Sequence, residues 1–108
     1  MNNYPIDMEE VLLWFRSKVN LLKNTGVSMA AVHTSGVNVP SARADFDTEC
    51  TIGRISVWAT GEFDFEVLRR SDGEFIFFRH ESTKTLEAPV LDYAYDEFVR
   101  SMNSVNNF

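Results

Sequence analysis

The stretch "ATGEFDFEVLRR", Ala59 to Arg70, alternates Phe63, Phe65 and Val67 with Glu62, Asp64 and Glu66. A period of two is the period of a β-strand, and no helix could keep those rings together and those carboxylates apart. The chain must therefore build a sheet with one apolar face and one acidic face. Asp72-Gly73 follows as a hairpin turn signal, and "EFIFFRHES" returns as the next strand. Upstream, "CTIGRISVWAT" is a third strand ending near Gly61.

Matching apolar residues across the hairpins gives a register. Ala59 is expected opposite Phe63, Val57 opposite Phe65 and Ile55 opposite Val67. In the second hairpin, Val67 is expected opposite Phe75 and Phe65 opposite Phe77. The expected core face is Ile55, Val57, Ala59, Phe63, Phe65, Val67, Phe75 and Phe77. The other face carries Arg54, Ser56, Trp58, Glu62, Asp64, Glu66, Leu68, Ile76, Phe78 and His80. In that register Trp58 neighbours Asp64, and Asp64 neighbours Phe78.

Helices are expected at both ends. Asp7 is placed to cap a helix whose stripe is Met8, Val11, Leu12, Phe15, Val19 and Leu22, with Gly26 closing it. Near the C-terminus Pro89 suits a first turn, ahead of the stripe Val90, Leu91, Ala94, Phe98 and Met102. "VSMAAVHT" and "ARADFDTE" are candidate further strands, the latter with Ala42, Ala44 and Phe46 on one side. The tail "NSVNNF" is polar and expected to fray. The expected fold is α+β: one domain over residues 1–108, an antiparallel sheet of three to five strands flanked by an N-terminal and a C-terminal helix.

Charge and chemistry narrow the function. Ten Lys and Arg stand against 16 Asp and Glu, a net charge of −6. Binding to a phosphate backbone needs clustered cations, so direct nucleic-acid binding is not expected, whereas a basic protein partner is. His33 and His80 are the only histidines and Cys50 the only cysteine, so neither a disulfide nor a zinc-ligand spacing is available. The glycines form no phosphate loop, and no nucleophile has an evident oriented base. No catalytic residue, cofactor site or metal site is therefore expected. The N-terminus shows no signal-peptide pattern and no run is long enough for a membrane helix, so a cytoplasmic location is expected. A face that mixes Trp58 and Phe78 with Glu62, Asp64 and Glu66 suits docking of a basic partner. A second reading is that a loop or the terminal helix partly covers the apolar residues while the acids stay solvated, and a third is a homodimer interface on that face.

"ARADFD", "GRISVW" and "GEFDFEVL", within Ala42 to Leu68, resemble bacterial immunity proteins of the TriTu type. The resemblance implies an antitoxin that blocks the C-terminal domain of a contact-dependent growth inhibition toxin or similar polymorphic toxin. It further implies that the toxin is a tRNA-cleaving nuclease and that elongation factor Tu joins the assembly through it. "ARADFD" and "GRISVW" also have a structural reading, with Asp45 pairing with Arg43 or Arg54. The alternative to an immunity protein is a small ligand-binding or enzymatic α+β domain with a pocket around Asp45, Arg54 and Trp58.

Overall fold

A computed structural model describes residues 4–36 and 38–105. The elements in chain order are α1 (Met8–Val19), a 3-10 turn (Asn20–Leu22), β1 (Ser28–Ser35), β2 (Ser41–Asp47), β3 (Thr51–Trp58), β4 (Glu62–Arg69), β5 (Phe75–Ser82) and α2 (Pro89–Met102). The strands form one antiparallel sheet in the order β1-β2-β3-β4-β5, so every neighbour in sequence is a neighbour in space. This is the expected α+β fold, with five strands.

Asp7 caps α1, accepting a hydrogen bond from the Glu9 N–H at 3.2 Å. The α-helix stops at Val19, earlier than Gly26 alone would imply, and tightens into the 3-10 turn before the chain reaches left-handed Asn24 (φ 63°) and Gly26 (φ 80°). Val19 is consequently exposed, while Leu22 on the 3-10 turn is buried. Of the polar tail, residues 106–108 lie outside the described residues.

Both helices pack on the same side of the sheet, α1 over β1 and β2, α2 over β3, β4 and β5. Their apolar stripes meet the inward residues Ala42, Ala44, Phe46, Ile55, Val57, Phe63, Phe65 and Val67 in one cluster. Trp14 links the layers, edge-on to Phe63 at 6.0 Å and to Tyr95 at 6.5 Å. Phe98 of α2 lies edge-on to Phe46 at 5.1 Å and to Phe65 at 6.2 Å. Gly53 makes room for it: a Cβ there would stand 2.6 Å from Phe98 Cζ and 2.5 Å from Met102 Sδ.

Polar groups fasten α2 at both ends. The Thr51 hydroxyl, fully buried, donates to the Met102 carbonyl at 2.8 Å and so satisfies one of the helix's unpaired C-terminal acceptors. Lys18 pairs with Asp92 at 3.0 Å, and the Tyr95 hydroxyl donates to the Lys18 carbonyl at 3.2 Å. Tyr95 belongs to the core, although the expected stripe omitted it. Its burial pushes the phenol pKa up to about 12.

The expected faces of β3 and β4 hold but the expected registers do not. Phe63 pairs with Val57, Phe65 with Ile55, and Val67 with Gly53, a shift of two residues. Two residues preserve which side a chain faces, so the core face survives the shift. The cause is the turn: the Gly61 N–H donates to the Trp58 carbonyl, which makes Ala59 and Thr60 its central residues and ends the β3–β4 ladder before them. Gly61 turns the chain with a φ of 100°, and a Cβ there would overlap the Thr83 carbonyl oxygen. In the β4–β5 hairpin, Val67 pairs with Phe77 and Phe65 with Arg79, and a bulge follows between Val67 and Leu68. The bulge takes up one residue, so Phe75 emerges opposite Leu68 on the acidic side, 63% exposed, and is not in the core. Ile76, expected on the open face, packs against the core instead.

Candidate functional site

The face turned away from the helices is the candidate site. No helix among the described residues packs on it. In register, its side chains form rows across the strands. One row reads His33, Arg43, Ser56, Asp64, His80, and the next Ala31, Asp45, Arg54, Glu66, Phe78. A third runs Asp47, Ile52, Leu68, Phe75, and at the opposite end Ser35, Ser41 and Trp58 lie side by side.

The structure therefore puts Trp58, Glu62, Asp64, Glu66 and Phe78 on one face, as alternation required. Their neighbours differ from expectation. Asp64 sits between Ser56 and His80, and Phe78 faces Glu66. Phe78 is 58% exposed, and with Ile52, Leu68 and Phe75 it makes an apolar end to the face. Ile52 and Phe75 were not expected here. The bulge that exposes Phe75 has no signature in the alternation itself.

Five carboxylates, Asp45, Asp47, Glu62, Asp64 and Glu66, share this face with two arginines, Arg43 and Arg54. Asp45 is taken by Arg54, whose Nε donates to it at 2.8 Å, with His33 Nε2 at 3.7 Å from its second oxygen. Of the two arginines considered for Asp45, Arg54 is thus the partner. A cavity of about 480 Å³ lies beside this pair, lined by His33, Ser35, Ser41, Arg43, Arg54, Ser56, Trp58 and Glu66 among others. It contains Arg54 and Trp58 of the expected pocket but not Asp45. A smaller cavity of about 180 Å³ is bounded by Trp58, Glu62, Asp64 and His80. Trp58 is a wall of both.

His80 Nδ1 lies 2.6 Å from Asp64 Oδ1. That hydrogen bond, with the charges of Asp64, Glu62 and Glu81, holds the imidazolium pKa above its usual 6.5. A raised folded-state pKa stabilises the protein fully below about pH 6.5, and the contribution fades as pH rises through the raised value. An NMR titration should find His80 titrating above 6.5 and returning toward it in Asp64→Asn. A titration unaltered by the substitution would contradict the pair.

Among the described residues, no three His, Cys, Asp or Glu side chains are grouped to hold a metal ion. Among the described residues, no helix is long and apolar enough to cross a membrane. A family model described as "Immunity protein TriTu" matches residues 9–101, a span that contains all five strands and nearly all of both helices. No curated protein matches the chain.

Proposed function

The chain belongs to the TriTu family of immunity proteins, and we propose that its cognate toxin docks on the helix-free face of the sheet. The observation that carries this reading is the pairing of five carboxylates with Trp58 and Phe78 on a face that both helices leave open. Such a face suits a basic partner: aromatic anchors supply desolvated contact and the surrounding acids steer association.

The proposed toxin is a basic, tRNA-cleaving nuclease of a contact-dependent growth inhibition system, neutralised in the cytoplasm, with elongation factor Tu joining through the toxin. Inhibition is by occlusion. Glu62, Asp64 and Glu66 occupy cationic positions at which RNA phosphates would otherwise bind, and Trp58 and Phe78 hold them there. This action needs no cofactor and no catalytic step.

The test is co-expression of the cognate toxin domain with and without this chain in a sensitive bacterium, followed by co-purification. Growth rescue with a one-to-one complex supports the reading. Asp64→Lys should weaken the complex about tenfold, mainly through slower association, with the fold intact. Unchanged affinity would remove this part of the face from the interface. Absence of both rescue and complex would favour the second reading, a ligand-binding or enzymatic domain using the cavity beside Arg54 and Trp58.

A further inference from the structure

We infer that the cavity between Trp58 and Arg54 is a socket for a single carboxylate side chain carried by the toxin. This rests on the immunity reading and specifies the chemistry of one part of its interface. The cavity is a donor-rich, hydroxyl-lined exception on an acidic face. Arg43 lines it and, among the described residues, makes no ion pair or side-chain hydrogen bond. Arg54 gives its Nε to Asp45 and keeps its two terminal nitrogens uncommitted among the described residues. Ser35, Ser41 and Ser56 add hydroxyls, none with a side-chain partner among the described residues. Two guanidinium groups with adjacent hydroxyls match the planar, bidentate geometry of a carboxylate.

Charge decides between a free anion and a tethered one. Glu66 also lines the cavity and Asp45 is bonded to Arg54, so two carboxylates offset its two arginines, and what distinguishes it is free guanidinium donors, not net positive charge. The whole chain carries −6. A free, doubly charged phosphate must approach against that field, and is repelled at long range. A carboxylate on a basic protein arrives with the opposite charge around it. Once docked, an acid among cations meets a cation among acids, which fixes one orientation and penalises toxins that present a basic residue there.

The test uses the full chain and a catalytically inactive toxin domain. Arg43→Glu is expected to weaken binding about tenfold or more, with an unchanged melting temperature. One Asp→Lys or Glu→Lys variant of the toxin should then bind Arg43→Glu better than it binds the unaltered chain. Wild-type affinity in Arg43→Glu would overturn the socket while leaving the immunity reading standing. Weakened binding that no acidic-to-lysine toxin variant repairs would overturn the carboxylate as its occupant. Calorimetry of the chain with inorganic phosphate and with adenosine monophosphate gives a further check. Micromolar binding of either, abolished by Arg43→Glu, would assign the cavity to a free anion instead. If the unaltered chain forms no complex at all, the immunity reading fails, and this assignment with it.

Discussion

Phe98→Ala is expected to lower the unfolding free energy by about 3–5 kcal/mol, the usual cost of deleting a buried ring from a packed core. A domain of this size has about 5–15 kcal/mol in total. The melting temperature should therefore fall by roughly 15 °C or more, read by far-ultraviolet circular dichroism. The size of the effect follows from position. Phe98 is fully buried and touches Phe46 on β2, Phe65 on β4 and Tyr95 on its own helix. No other ring joins α2 to two strands in this way among the described residues. Its slot exists because Gly53 carries no side chain. Gly53→Ala should accordingly cost less in the Phe98→Ala background than in the unaltered chain, a coupling expected of residues in contact. A loss of only a few degrees in Phe98→Ala would mean that α2 does not dock through this ring.

The parts of this fold legible in the sequence were those that depend on parity. Phe63, Phe65 and Val67 face the helices because alternate residues of a strand must share a side, and that holds in any register. The register itself was less legible. Apolar matching placed Phe63 opposite Ala59, but Ala59 is a central residue of the turn closed from Gly61 to Trp58. An apolar residue inside a turn continues the alternation, so the pattern does not announce where the strand stops. Phe75 failed for a related reason: a bulge shifts parity by one residue, and a phenylalanine then stands in solvent. Tyr95 was missed because a tyrosine is buried only when its hydroxyl finds a partner. That partner, the Lys18 carbonyl, belongs to the other helix.

The site shows the same division. Trp58 and the three acids of β4 share a face by alternation alone. The cation-and-hydroxyl cavity needs His33 of β1 beside Arg43 of β2 and Ser56 of β3. That is a product of two registers, and only the folded chain displays it. The resemblance in "ARADFD", "GRISVW" and "GEFDFEVL" is concentrated on β2, β3 and β4, the central strands. Those segments supply both the inward core residues and most of the open face, so one block of sequence carries fold and candidate surface together.

Trp58→Ala is expected to raise the dissociation constant of the toxin complex about thirtyfold or more, some 2 kcal/mol, as for a central aromatic anchor. Two features single it out from Phe78. Tryptophan is among the residues most often found to dominate binding energy, and this one separates the arginine-bearing cavity from the acidic one. Its removal merges the two cavities, so the charges on either side lose the ring that separates them. The cost to folding should be about 1 kcal/mol or less, because the ring lies on the open face outside the core cluster. The matched control is Tyr93→Ala on α2, 68% exposed on the helical side. It removes a comparable ring from a surface that the proposed interface does not use, and should leave affinity unchanged. Titration calorimetry on both variants separates the possibilities. Loss at Trp58 with none at Tyr93 places the toxin on the sheet; the reverse pattern would place it on the helices and make the acids of β4 ordinary solvated residues.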